Sequence, residues 1–192
     1  MLIDCFSYKI YKTSIEFLYK KELVDIIKKL HSDEYIKKAN RMTTNAKIFD
    51  VFENDNRFQF NNFNLINILA SKIENELFLF SKKMNLNKKL EISNFWCVSY
   101  SEDQKCIPHI HISNKNYCFS GIYYLSLDKN EHQSTTFYED ESLSESITPS
   151  CQENDLLIYP MDIWHGYSGS QSKKTRIVFP FDITIKNNIK YY

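Results

Sequence analysis

Residues 95–111 read FWCVSYSEDQKCIPHIH. Aromatic and β-branched residues run to Tyr100, SEDQK interrupts them as a turn, and Cys106 opens a second extended segment that carries His109 and His111. On a strand, residues i and i+2 project from the same face, so this pair offers both imidazoles to one metal ion. A third histidine, His165, follows inside IYPMDIWHGY, and Arg176 lies eleven positions beyond it.

Downstream of Asn87 the whole chain has this texture. Strands are expected at Leu90–Tyr100, Cys106–Ser113, Phe119–Leu127, Thr135–Tyr138, Asp155–Tyr159, His165–Tyr167 and Arg176–Ile185, separated by the polar clusters SEDQK, SNKN, DKNEHQ and SGSQSKK. Short strands at close spacing point to a sandwich, barrel or jelly roll. Alternation along SGIYYL puts Ser120, Ile122 and Tyr124 on one face and Gly121, Tyr123 and Leu125 on the other.

Upstream, a strand is expected from Ile3 to Tyr11. TSIE at 13–16 then offers a capping box, with Thr13 as N-cap and Glu16 as its partner. Ile15, Leu18, Tyr19, Leu23, Ile26, Ile27 and Leu30 follow at helical spacing. Ser32 to Asn61 is polar and weakly patterned, with room for a short helix after Ser32, and reads as a lid or a connection. A second helix is expected from Asn62 to Met84, burying Leu65, Leu69, Ile73, Leu77, Phe80 and Met84. The fold class is therefore α+β with a mainly β core: one domain over 1–192, mostly helical over 1–89, with two main helices packed on the β core of 90–185.

At 192 residues, 43% hydrophobic and 15% aromatic, the chain has the material for a sizeable core. Net charge is zero, although residues 1–89 carry 16 Lys and Arg against 11 Asp and Glu while residues 90–192 carry 8 against 13. That balance argues against a dedicated nucleic-acid surface. MLIDCFSYKI lacks the pattern of a secretory leader and no apolar run is long enough to span a bilayer, so a cytoplasmic protein is expected. Five cysteines, Cys5, Cys97, Cys106, Cys118 and Cys151, are scattered without a C-x-x-C spacing and read as reduced, mostly buried thiols. No G-x-x-x-x-G-K, G-x-G-x-x-G or G-x-S-x-G motif occurs, which removes the commonest nucleotide-binding and serine-hydrolase classes.

A catalytic iron site needs a few protein ligands on one side of the metal and open positions opposite. His109, His111 and His165 are the candidate set. A lone strand histidine more often packs or hydrogen-bonds in a core, so H-x-H is weak by itself. His111 could also stand behind the metal or face the substrate, with Asp103, Glu102 or Glu139 completing the site from a loop. His31, His132 and the acidic run Glu139, Asp140 and Glu141 are expected at the surface, and Trp96 and Trp164 in the core or a pocket wall.

Taken in order, five segments between Phe95 and Asp182 resemble the double-stranded β-helix (jelly-roll) core of the iron(II)- and 2-oxoglutarate-dependent oxygenases. The nearest members are the small prolyl-hydroxylase-like and phage-associated ones. FWCVSYSEDQKCIPHIH resembles the strand, turn and strand leading to the first ligands; SGIYYLSL and STTFYED resemble the next two strands. ITPSCQENDLLIYP resembles the approach to the distal histidine, and RIVFPFDI the last core strand. The resemblance implies His109 as first ligand and His165 as distal ligand, with His111 where most of the family has Asp. It implies that Arg176 binds the cosubstrate carboxylate and that Tyr124 donates a hydroxyl to it. Val178 stands where the family often has a further hydroxyl.

The activity so implied is that of a dioxygenase using Fe(II), 2-oxoglutarate and O2, most plausibly a hydroxylase. Its partners are a small-molecule cosubstrate and a substrate not readable from sequence, with no membrane. Two other readings stay open: a three-histidine, cupin-like dioxygenase that needs no oxo acid, and a non-catalytic jelly-roll binding protein. Three neutral imidazoles also leave the site one negative charge poorer than two histidines and a carboxylate.

Overall fold

Antiparallel pairing organises the chain into two sheets. The computed structural model describes residues 1–32, 44, 46–50, 56–111 and 117–186. Among these the order is β1 (Leu2–Cys5), β2 (Tyr8–Ser14), α1 (Lys20–Ser32), β3 (Lys47–Asp50), α2 (Asn56–Lys83), β4 (Lys89–Tyr100) and β5 (Cys106–His109). β6 (Tyr117–Ser126), β7 (Thr136–Tyr138), β8 (Ser146–Ile147), β9 (Asp155–Pro160), β10 (Trp164–Tyr167) and β11 (Arg176–Lys186) follow. A seven-stranded sheet runs β1-β2-β9-β6-β11-β4-β3, and a four-stranded sheet runs β5-β10-β7-β8.

Period-two alternation sorts the large sheet into two faces. Phe95 and Cys97 of β4, Tyr123 and Leu125 of β6, Leu156 and Ile158 of β9, and Ile177, Phe179, Phe181 and Ile183 of β11 form one cluster with Leu23 and Ile27 of α1 and with Ile66, Leu69, Ile73, Leu77 and Phe80 of α2. The two helices cover this face, and their apolar stripes are buried against it. The residues in between, Val98, Tyr100, Ile122, Tyr124, Leu157, Tyr159 and Val178, pack with Phe137, Ile163 and Tyr167 into a second cluster that joins the two sheets. The faces expected for Ser120, Ile122 and Tyr124 against Tyr123 and Leu125 are those observed.

All seven strands expected after Asn87 form, six of them within two residues at both ends; the second, expected over Cys106–Ser113, stops at His109, with Ile110 and His111 outside it and 112–113 outside the described residues. The amino-terminal third departs further. In place of one strand over Ile3–Tyr11, a hairpin turns at Phe6 and Ser7, with Phe6 in the left-handed region at φ 56° and Cys5 opposite Tyr8. The TSIE capping box is not used. Thr13 and Ser14 pair with Leu156 and Asp155 of β9, and the Ile15 amide donates to the Asn154 carbonyl at 2.8 Å, so the helix starts only at Lys20. A ladder to a distant strand outcompetes a local cap, and Leu18 and Tyr19 are left exposed.

Helix α2 begins at Asn56, six residues before the expected start, and ends where Asn85 takes the left-handed region at φ 52°. There the Leu86 amide donates to the Ser81 carbonyl at 3.0 Å, satisfying a terminal acceptor. Of the polar 32–61 segment, residues 47–50 form β3 against β4 and the end joins α2; the short helix expected after Ser32 lies outside the described residues. Among the described residues no helix is long and apolar enough to cross a membrane.

Candidate metal centre and anion pocket

The small sheet and the inner face of the large one enclose a cavity of about 440 Å³. Three histidines meet in its wall. His109 on β5 and His165 on β10 are directly paired residues of adjacent strands, and their ring centroids lie 4.5 Å apart. The close approach depends on Gly166, where a Cβ would stand 2.9 Å from the Cys106 carbonyl and 3.0 Å from the Pro108 nitrogen. His111 falls just past the end of β5, anchored by its amide to the Met161 carbonyl at 2.9 Å. Its ring lies 5.2 Å from His109 and 5.1 Å from His165. One potential ligand atom from each of the three falls within 4.8 Å of the others.

In all three rings Nδ1 is engaged, leaving Nε2 as the nitrogen with a lone pair to offer. His109 Nδ1 lies 2.9 Å from the Ile107 carbonyl and His165 Nδ1 3.0 Å from the Ile163 carbonyl, each two residues back along its own chain. His111 Nδ1 lies 2.8 Å from Asp182 Oδ1. Burial lowers the pKa of His109, and burial with the neighbouring His109 and His111 holds His165 well below the usual range, so both stay neutral and available as ligands. Cys106 also lines the cavity, but burial raises its thiol to about 11, which keeps it protonated and a poor competitor for metal.

Arg176 opens β11 on the same face. It is 1% exposed, and its guanidinium carbon stands 4.0 Å from the centre of the Tyr167 ring and 4.9 Å from that of Tyr100. Among the described residues no carboxylate pairs with it, and its Nε has no hydrogen-bond partner. A buried cation without a counter-ion is costly, so an anion entering this cavity gains what the fold leaves unmatched. The pocket thus joins three imidazoles to one fixed positive charge.

No protein-family model and no curated protein matches the chain. Solved structures do. A prolyl-4-hydroxylase from Pseudomonas putida superposes with a TM-score of 0.65 over 93% of each chain at 8% identity. A prolyl hydroxylase from Trichoplax adhaerens, in complex with a hypoxia inducible factor peptide fragment, gives 0.66 at 14% identity, covering 91% of this chain and 83% of the other. The non-heme alpha ketoglutarate dependent epimerase SnoN from nogalamycin biosynthesis gives 0.67 at 10% identity, covering 91% and 76%. The fold is that of these oxygenases.

Within this fold the sequence-predicted residues part company. His109, His111, His165 and Arg176 come together around one cavity. Tyr124 does not reach its wall: the ring is fully buried, and the hydroxyl donates to Thr135 Oγ1 at 2.9 Å while accepting from the Thr135 amide at 2.9 Å. Thr135 lines the cavity instead. The loop carboxylates Glu102, Asp103 and Glu139 are exposed and none lines it.

The carboxylate that does reach His111 is Asp182, which sequence reasoning missed. Burial alone would raise its pKa, but hydrogen bonds from His111, Asn94 and Ser120 outweigh that and hold it below the usual carboxylate range. Arg176, Val178, Pro180 and Asp182 all line the cavity, so alternation from Arg176 was the available signal. Trp96 lines the cavity as a wall residue. His132, expected at the surface, is buried: its Nδ1 accepts from the Asp128 amide at 3.2 Å and its Nε2 lies 3.0 Å from the Lys174 carbonyl.

Proposed function

We propose that the protein is an Fe(II)- and 2-oxoglutarate-dependent dioxygenase, acting as a hydroxylase, built as a single double-stranded β-helix domain with its two helices packed outside. The observation that carries this reading is the convergence, in one cavity, of three histidines with a buried guanidinium that has no carboxylate partner among the described residues. The donor set fits iron(II), for which imidazole is a suitable ligand. With metal and oxo acid bound, the centre supplies O2 activation coupled to decarboxylation of 2-oxoglutarate to succinate.

The chain's own residues do the rest. His109, His111 and His165 hold the metal on one side through Nε2, each ring fixed in tautomer by its Nδ1 partner. Arg176 receives the distal carboxylate of 2-oxoglutarate, its planar fork kept in place by Tyr167 and Tyr100. Tyr124 acts through Thr135: because Thr135 Oγ1 accepts from the tyrosine, its own O–H is left to donate to that carboxylate. Thr135 so replaces the hydroxyl that Val178 cannot supply. Trp96 and the surrounding aromatic residues exclude water. A reducing cytoplasm suits its five free cysteines.

Incubation with Fe(II), ascorbate, O2 and 2-oxoglutarate tests the reading. Succinate is expected from the wild type, none from His165→Ala, and from Arg176→Ala only at far higher 2-oxoglutarate. Iron bound at full stoichiometry with no binding or consumption of 2-oxoglutarate would overturn it in favour of a three-histidine dioxygenase without oxo acid.

A further inference from the structure

The three histidines are alike in having Nδ1 engaged, yet they differ in what engages it. His109 and His165 meet neutral backbone carbonyls close in sequence. His111 meets a carboxylate 71 residues away, Asp182, at 2.8 Å. Asp182 is itself aimed. It sits at the centre of a row across three strands, opposite Asn94 of β4 and Ser120 of β6. Asn94 Nδ2 donates to Oδ2 at 3.0 Å and Ser120 Oγ to Oδ1 at 3.1 Å. Its side chain is 14% exposed, and among the described residues no Lys or Arg pairs with it. This largely buried carboxylate is thus held by an imidazole, an amide and a hydroxyl, the imidazole being the one of the three that also faces the cavity's other histidines.

We infer that Asp182 is a positioning residue for the metal site: through His111 it supplies, from one ring's width away, the negative charge that three neutral imidazoles lack. An Nδ1–H bonded to a carboxylate fixes the ring's tautomer and raises the basicity of Nε2, so the donor at position 111 behaves more like an anion than a free imidazole does. A metal on His111 would in turn place a cation one ring away from Asp182. This rests on the proposal that the three histidines hold a metal, and it assigns them unequal parts. His111 is the strong donor, and the other two are ordinary ones.

Equilibrium titration with iron(II) under anaerobic conditions tests this without turnover. Wild type is expected to bind one ion, and Asp182→Asn to bind it 10- to 100-fold more weakly. His111→Asp puts a carboxylate directly at the site, and in that background Asp182→Asn is expected to cost nothing or to strengthen binding by removing a like charge. A structural role for Asp182 would give the same loss in both backgrounds, and that result overturns the inference. Absence of binding to wild type overturns the metal site itself, whereas wild-type affinity in Asp182→Asn overturns only the part given to Asp182. A second measurement needs no variant. In zinc-loaded wild-type protein with 15N-labelled histidine, His111 is expected to keep a hydrogen-bonded Nδ1 proton, and a His111 ring without that proton contradicts the inference.

Discussion

Strand β11 carries two proteins' worth of demands on its two faces. Ile177, Phe179, Phe181 and Ile183 point toward the helices and are fully buried among hydrocarbon. Arg176, Val178, Pro180 and Asp182 point into the cavity, where among the described residues the guanidinium has no carboxylate partner and the carboxylate is held by His111, Asn94 and Ser120. The first face satisfies itself by packing; on the second, Arg176 is matched only when an anion binds. One strand therefore separates stability from chemistry by residue parity, and the two should respond differently to mutation.

The largest effect belongs to the packed face. Phe179→Ala removes a fully buried ring tilted against Phe95 at 5.2 Å between centroids, and is expected to cost about 3–5 kcal/mol in denaturant unfolding, while the folded fraction keeps its metal affinity. Arg176→Ala is the mirror experiment. Calorimetric binding of 2-oxoglutarate is expected to weaken by about 2–5 kcal/mol, while the melting midpoint of the ligand-free protein holds or rises because an unpaired buried charge is gone. If Arg176→Ala lowered the midpoint as far as Phe179→Ala, the division between faces would be wrong.

Gly166→Ala sharpens the comparison within the small sheet. The added Cβ would meet backbone, which cannot swing aside, so β5 must move from β10 and carry His109 away from His165. A loss of about 1–3 kcal/mol in stability is expected together with weaker iron(II) binding, the one case in which both responses fall at once. The smallest effect is a pH dependence away from the metal. Burial lowers the pKa of His132 in the folded state, opposed by the Lys174 carbonyl, so the unfolded chain binds the proton first. The stability it contributes is fully present above about pH 6.5 and is lost as pH falls from there toward the folded-state pKa. The Asp128 amide loses its acceptor when Nδ1 is protonated, at a cost of about 1 kcal/mol. Melting midpoints from pH 7.5 to 5 should fall more steeply for wild type than for His132→Gln.

Most of this division was legible in the sequence because it follows local period-two patterning. Alternation placed Tyr123 and Tyr124 on opposite faces; His109 and His111 reach the same cavity although β5 ends at His109, because the Met161 carbonyl holds the His111 amide. What stayed hidden depended on partners remote in sequence. TSIE reads as a cap until β9 pairs with it, and β3 lies in a polar segment that gains meaning only beside β4. Tyr124 looks like a ligand contact until Thr135 is seen between it and the cavity. Asp182 ends an apolar run, and nothing local joins it to His111; the cross-strand row with Asn94 and Ser120 does.

The most direct measurement of the central claim is an anaerobic titration of 2-oxoglutarate into the Fe(II)-loaded protein, followed by visible absorption of the metal–oxo-acid charge-transfer band. A saturable band is expected in wild type, absent from His165→Ala and reached only at far higher 2-oxoglutarate in Arg176→Ala. Iron-loaded wild type that shows no band at any 2-oxoglutarate concentration, or a band indifferent to Arg176→Ala, would contradict that claim.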